Sequence, residues 1–519
     1  MHDETAPRIR ARIRAQANHL EKGLRNGYCI ALRRGGSACA LQCSIKSATG
    51  YDAEDLPGLE EVRRNTHQRE NKGMESSKTN TASRRAAMSR RRFLKRTGAA
   101  AAGVVAFPYI VPGSALGLDG NVAPSNRTVI GCIGLGGMGT GNMRSFLGFK
   151  EARIVAVCDV DRSHRQAAQN EVNERYGDKG CEEYNDFRAL LLRDDLDAVS
   201  IAVPDHWHAI PAIQAAKRGL DIYAEKPLAL TLEQGRAMER AVSRHGVVWQ
   251  TGSWQRSQRH FRYACELVRS GRIGAVHMVE VGLPTGSPCG PKPEMPIPEG
   301  FDYNFWLGPA PYEPYTKDRC HWNFRWILDY SGGQLTDWAA HHCDIANWGM
   351  GTEHTGPVEV HGRGEFPRDG LWNAATHYKF EARYANGASP VAPDGFTMVV
   401  SNAFHMGAKF YGENGWVQVW RGGLRTEPES LQTSVIGPND VRLYESTNHQ
   451  KNFLECRKSR ALTVTPIEVA HRAISIAHIG NIAMQLERTV HWDPVKEEFI
   501  GDEEANRKRS RAMRQPWHL

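Results

Sequence analysis

The sequence is short of the features that would staple or anchor a chain. Its 11 cysteines include no C-x-x-C pair, so neither a metal knuckle nor a disulfide framework is indicated. Cys132 and Cys158 fall inside apolar runs and read as small buried hydrophobes. The apolar stretch at residues 99–107 is too short to span a bilayer as a stable anchor, and no lipobox cysteine accompanies it. A basic surplus is missing from the main body as well. The formal net charge is +8, but residues 1–96 supply it, and the remainder is slightly acidic. A nucleic-acid-binding body is therefore not expected. What the chain does have is length. Its 519 residues exceed one hydrophobic core and imply two globular domains plus extra segments.

Residues 1–87 show no sustained helix or strand period and are rich in Arg, Ser, Asn and Glu. They read as a disordered leader or an over-extended gene reading, with Met88 the expected start. The pattern changes there. The run S-R-R-R-F-L-K at residues 89–95 resembles the bacterial twin-arginine export signal. With the apolar stretch and a small-residue cleavage zone at 114–117, residues 88–118 read as a signal peptide. This resemblance implies export of the folded protein by the twin-arginine machinery to a periplasmic or other extracytoplasmic location. A cofactor loaded before export would then have to be held tightly and regenerated within the cycle.

Residues 125–250 carry the strongest local signal. An apolar run at 129–133 reads as a buried strand and breaks at Gly134, Gly136 and Gly139, a G-x-G-x-x-G fingerprint. Gly134 permits a tight turn, Gly136 lets backbone approach a pyrophosphate, and Gly139 lets the next helix sit close to the sheet. Gly137 and Met138 lie at the helix N-terminus, whose free N–H groups face the phosphates. A second strand ends in Asp159, about twenty residues on, placed to accept bonds from a ribose diol. This favours NAD over NADP, with Arg162 leaving the latter open. Strand and helix signals alternate onward: a helix near 186–193, a strand at 196–203, a helix at 210–218, strands at 220–224 and 247–250. The expected fold is α/β, a doubly wound parallel sheet. Pro204 and His208 sit in the loop after one strand and Glu225-Lys226-Pro227 at the end of the next, where such loops line the cofactor crevice.

The E-K-P tripeptide behind a V-P-x-x-x-H loop resembles the glucose–fructose oxidoreductase/inositol dehydrogenase (Gfo/Idh/MocA) family. The resemblance covers roughly residues 125–510 and implies that Lys226 touches both substrate and nicotinamide. Gly134, Gly136, Gly137, Met138, Gly139, Asp159, Pro204, His208, Glu225 and Lys226 are the expected cofactor contacts.

Residues 251–510 read as a substrate and oligomerisation domain. A helix over 257–270 precedes a strand at 276–283, a Pro/Gly-dense loop at 284–300, and sheet segments at 376–384, 396–401 and 409–420. A mostly antiparallel sheet is expected, followed by a late helix at 466–487. The family resemblance implies a large open sheet whose exposed face forms a dimer or tetramer interface. The chemical centre is Gly332, Gly333, Asp337, His341 and Asp344, a G-G-x-x-x-D-x-x-x-H-x-x-D pattern. Asp337, His341 and Asp344 share one helix face. A metal half-site and a plain helix-surface ion pair are alternatives for the Asp337/His341 pair, but no second ligand set is evident and no metal is expected. The same family pattern implies that His341 is the acid/base and that Asp337 holds it or a substrate hydroxyl. His342 points elsewhere, toward the pocket rim. Arg256, Arg325, Asp344 and His342 are candidate substrate ligands, with simple salt-bridging as the alternative for the two arginines. The aromatics between Phe301 and Tyr330 are either core or sugar-stacking platforms.

The reading is an NAD(P)-dependent oxidoreductase that moves a hydride between nicotinamide and a hydroxyl-bearing carbon of a sugar or cyclitol-like substrate. Lys226, His341 and Asp337 are its catalytic groups. An NAD-dependent glycoside hydrolase or lyase working by transient oxidation is the second reading. A non-catalytic NAD or sugar sensor is the third, and Lys226, Asp337 and His341 together argue against it.

Overall fold

The computed structural model of the protein describes residues 122–519. The leader and the twin-arginine segment therefore lie outside the described residues. The first sheet has six strands: β1 (Thr128–Ile133), β2 (Ala152–Cys158), β3 (Glu182–Tyr184), β4 (Ala198–Ile201), β5 (Asp221–Ala224) and β6 (Trp249–Thr251). Its order is β3-β2-β1-β4-β5-β6, all parallel. Strand order reverses between β1 and β4, and at such a switch point a crevice opens beyond the carboxyl ends. The central strands β1, β4 and β5 are almost wholly buried on both faces, while the edge strand β3 is polar and partly exposed. Cys132 and Cys158 are buried among them, free thiols that pack as hydrophobes.

The second sheet has nine strands: β7 (Val276–Gly282), β8 (Glu359–Glu365), β9 (His377–Tyr384), β10 (Phe396–Ser401), β11 (Gly407–Gly412), β12 (Gly415–Trp420), β13 (Gly423–Glu427), β14 (Val490–Asp493) and β15 (Glu498–Phe499). Their order is β13-β12-β11-β7-β10-β9-β8-β14-β15. β7 and β10 run parallel, while the other pairings are antiparallel. Along β9, Tyr378, Phe380, Ala382 and Tyr384 are buried while the residues between them are exposed or half-buried. One face is thus core and the other open. Helices Gly333–Met350 and Ile467–Leu486 pack together over the buried face. The second of these matches the expected late helix within a residue at each end.

Two segments tie the halves into one body. Helix His449–Ser459 returns to the first sheet, where Phe453 meets Phe146 and Tyr223 edge-on. Arg460 and Arg457 converge there on the buried Asp221, at 2.7 and 3.5 Å. The C-terminal segment also crosses back: Trp517 packs edge-on against Trp207, ring centroids 4.7 Å apart. The aromatics of 301–330 resolve mostly as core, with Tyr303, Trp306 and Tyr330 buried together.

Candidate active site

Gly134 ends β1 with φ of 83°, and a side chain there would place Cβ 2.4 Å from the Ala202 carbonyl oxygen. At Gly139 a Cβ would lie 1.9 Å from the Gly134 carbonyl oxygen, so the helix Gly137–Leu147 rests directly on the turn. Gly136 and Gly137 are different: a Cβ there meets nothing within 4 Å. Their backbone borders open space, the condition for close approach of a phosphate. Met138 is half-exposed beside them. Asp159 follows β2 and is oriented by backbone: Oδ2 accepts from Leu135 N at 2.7 Å and Oδ1 from Asp161 N at 2.8 Å. Turn, open glycines and acid together fit a dinucleotide.

From this turn a crevice of about 410 Å³ runs past Asp159, Pro204 and Glu225 to Lys226, Arg325 and Asp337. Glu225 is buried; its Oε1 accepts from Asn142 at 2.9 Å while Oε2 has no partner. Burial raises its carboxyl above the ordinary range, opposed by the Asn142 bond. His208 does not line the crevice, contrary to expectation. Its ring is buried, with Nε2 2.8 Å from the Val203 carbonyl oxygen and Nδ1 3.3 Å from that of Leu228. It shapes the loop instead of meeting a ligand.

At the far end the two halves converge. Lys226 Nζ donates to Asp337 Oδ1 at 2.6 Å, although the residues lie far apart in the chain. Arg325 Nε stands 3.9 Å from Asp337 Oδ2. The Arg325 guanidinium lies over Trp322, 3.8 Å from its centroid, and donates to the Trp322 carbonyl oxygen. One acid here was not anticipated. Asp205 is buried in the V-P-x-x-x-H loop and accepts from Ser331 Oγ at 2.5 Å. Burial pushes its carboxyl up to about 7, partly opposed by that bond. A carboxylate in the loop after a strand carries no sequence mark of being buried.

The shared face of helix Gly333–Met350 does not form one cluster. Asp337 makes no hydrogen bond to His341, because Lys226 draws its carboxylate toward the crevice. His341 lies a turn deeper, flanked edge-on by Trp254 and Trp338, and its Nδ1 is buried without a partner. Burial, then the fields of Lys226 and Arg421, hold its imidazole well below the ordinary histidine range. These effects favour the neutral ring and oppose its protonation, and the ring does not itself line the crevice. His342 does not reach the rim: it is buried, stacks on Trp338, and is pushed down to about 3 by burial and then Arg421.

Arg256 and Asp344, expected at the substrate, are not there. Arg256 Nε and Nη2 bind the two oxygens of Asp344 at 2.7 and 2.8 Å, and Nη1 binds Glu353 at 2.7 Å. Both Arg256 and Asp344 side chains are 3% exposed, so the pair is a core ion pair. A further cluster went unread in the sequence. Asp161, His164 and His321 bring one donor atom each within 4.8 Å of one another beside Asp159. His321 has φ of 52°, and Asp159 raises the His164 imidazole above its ordinary value. Asp161 and His164 stand three residues apart at one helix start, but His321 comes from a distant part of the chain, so no single spacing marks the set.

Comparisons with known proteins accord with this geometry. The model of an oxidoreductase-family NAD-binding Rossmann fold matches residues 128–253, and that of the oxidoreductase-family C-terminal alpha/beta domain matches residues 290–519; both are Gfo/Idh/MocA models. A 2,7-anhydro-N-acetylneuraminate hydratase from Mediterraneibacter gnavus is 34% identical over 149 residues, 28% of this chain and 37% of that protein. An alpha-N-acetylgalactosaminidase from Shewanella oneidensis is 33% identical over 159 residues, 28% of this chain and 35% of that protein. The match thus spans little more than a third of either relative. The fold also resembles the WlbA dehydrogenase from Bordetella pertussis, solved with NADH and UDP-GlcNAcA. The TM-score is 0.52 at 17% identity, covering 71% of this chain and 98% of that one.

Proposed function

Because the chain belongs to the Gfo/Idh/MocA oxidoreductase family, we propose that it oxidises or reduces a hydroxyl-bearing carbon of a sugar or cyclitol-like substrate with NAD. One observation carries the reading: the Lys226–Asp337 contact of 2.6 Å closes the same crevice that begins at the glycine turn. When bound, the nicotinamide supplies the hydride acceptor. The glycine turn and Asp159 hold and orient the dinucleotide. His341, kept neutral by burial, accepts the hydroxyl proton. The Lys226 ammonium stabilises negative charge as it develops on the substrate oxygen, and Asp337 fixes where that ammonium points. Arg325 borders the substrate end.

The test uses full-length protein with a panel of sugars and cyclitols, following NADH absorbance. His341→Ala should lower turnover about 100-fold or more while the nucleotide stays bound. Turnover unchanged by that substitution refutes the assignment. Glycoside cleavage is the second reading, supported by the likeness to the Shewanella alpha-N-acetylgalactosaminidase. In that reading a ring carbon would be transiently oxidised to a ketone, which acidifies the neighbouring C–H; the aglycone would leave by elimination and water would add in its place before the ketone is reduced again. Incubation with aryl glycosides and no added NAD separates the two: aglycone release favours cleavage. Export by the twin-arginine route is proposed from the sequence of residues 88–118. It suits a self-regenerating cofactor, and N-terminal sequencing of unprocessed and secreted protein tests it.

A further inference from the structure

The edge hairpin of the nine-stranded sheet carries an arginine that the reaction above does not use. Trp420 of β12 pairs with Gly423 of β13, so Arg421 and Gly422 form the turn. The turn is pinned through Trp420. Its carbonyl oxygen lies 3.0 Å from His260 Nε2, and its ring meets His405 edge-on with centroids 5.1 Å apart. From this anchor the Arg421 guanidinium reaches 4.5 Å from the Trp254 ring centroid and 4.4 Å from that of Trp338. The same indoles flank His341, at 6.1 and 5.8 Å between centroids. An exposed hairpin tip therefore delivers a cation to the aromatic wall of the proposed acid/base.

A guanidinium against aromatic faces keeps its N–H edge free for a planar oxyanion. Among the described residues, no carboxylate or carbonyl takes that edge of Arg421. Lys226 and Arg325 both face Asp337, Lys226 already holds its Oδ1, and Asp337 is also the carboxylate whose field reaches Arg421. The other two acids of the crevice, Asp205 and Glu225, are buried with their carboxyls raised above the ordinary range, so an anionic ligand adds to the balance of the three cations. The dinucleotide pyrophosphate is not that ligand. The glycine turn lines the crevice, whereas neither Trp254, Trp338 nor Arg421 does.

We infer that Arg421 is a substrate-recognition residue and that the substrate is a sugar bearing an oxyanion, a carboxylate or phosphate seated on the guanidinium edge between Trp254 and Trp338. The position of the reacting hydroxyl rests on the oxidoreductase reading above; the anion seat does not. Calorimetry on full-length protein at low salt compares D-glucuronate, D-galacturonate and D-glucose 6-phosphate with D-glucose and D-galactose. At least one anionic sugar should bind about tenfold tighter than its neutral counterpart. The uronate and phosphate arms tell which oxyanion is taken. Arg421→Gln should abolish the difference without changing neutral-sugar affinity. Arg421→Lys should restore it only in part, since an ammonium lacks the planar fork. Circular dichroism verifies that the variants fold. Equal affinities, no binding of any anionic sugar, or a preference that survives Arg421→Gln overturns the proposal. Turnover in the same samples separates the two readings. Anion-selective binding without hydride transfer removes the oxidoreductase assignment and keeps Arg421. NAD-linked turnover of neutral sugars alone does the reverse.

Discussion

Lys226→Met tests the convergence on which the site depends. The substitution keeps length and removes the ammonium 2.6 Å from Asp337. The two side chains are 14% and 15% exposed. They fall between a solvent-exposed pair, worth about 0–1 kcal/mol, and a fully buried one, whose breaking costs about 3–5 kcal/mol. Arg325, 3.9 Å from the other carboxylate oxygen, partly compensates the orphaned anion. The expected loss of stability is therefore about 1–2 kcal/mol, a fall in melting temperature of about 1–2 °C for a body of this size. Lys226→Met with Asp337→Asn removes both charges and should recover at least half of that fall. The kinetic effect should be larger: loss of one donor to a developing oxyanion costs about 100- to 1,000-fold in turnover. Neither variant should release nucleotide, because the glycine turn and Asp159 are untouched. Thermal melts, NADH-linked turnover and mass spectrometry of bound nucleotide read the three effects on one sample. Turnover within tenfold of the parent, or nucleotide loss at an unchanged melting temperature, refutes the reasoning.

Four other substitutions probe the rest of the site. Gly139→Ala drives a methyl into the Gly134 carbonyl oxygen, 1.9 Å from the ideal Cβ, and should cost about 3 kcal/mol or prevent soluble folding, read by denaturant melts. Asp159→Asn should weaken NAD binding about tenfold and narrow its margin over NADP in titrations of both cofactors. Arg256→Met strands the buried Asp344 carboxylate and should destabilise by about 3–5 kcal/mol, while KM of the folded remainder stays put. Asp205 gives a pH signature. Its carboxyl is raised to about 7, so between about pH 4 and 7 the folded chain holds a proton that the unfolded chain has released. Stability from this group is fully present below that window and lost as pH rises through it, at up to about 1.4 kcal/mol per pH unit. Asp205→Asn should flatten that slope in melts from pH 4 to 8, and an unchanged slope counts against a raised carboxyl there.

The parts of the fold legible in the sequence are those that backbone chemistry dictates locally. Gly134, Gly139 and Asp159 announce a turn and its acid because few other residues tolerate those positions. Their spacing is fixed by one strand and one helix. The late helix was readable because Pro466 precedes it and its apolar period continues to Leu486. Strands β3 and β8 were not readable. Glu182-Glu-Tyr and Glu359-Val-His-Gly-Arg-Gly-Glu lack apolar alternation, and sheet neighbours rather than propensity hold them extended. Side-chain partnerships across the chain were least legible. Arg256 and Arg325 look alike as residues, yet one is locked to Asp344 in the core and the other faces the crevice. Arg421 lies at a hairpin tip with only glycines after it, and nothing nearby in sequence marks it as a neighbour of Trp254.

The i, i+4, i+7 pattern of Asp337, His341 and Asp344 shows what such spacing can and cannot establish. It puts three side chains along one helix face, but that face also descends through the protein. Successive turns advance about 5.4 Å along the axis, enough to carry the face from crevice to core within two turns. Asp337 therefore meets Lys226 at the crevice end, His341 sits below it between indoles, and Asp344 is fully enclosed with Arg256. Each residue type suits its depth. The carboxylate nearest the opening pairs with a cation that a ligand can also reach. The imidazole, ionisable near neutrality in water, is held neutral by burial, which opposes its protonation. The deepest carboxylate keeps its charge only because a bidentate arginine accompanies it. The periodicity establishes a shared direction, and the depth of each position assigns its chemistry.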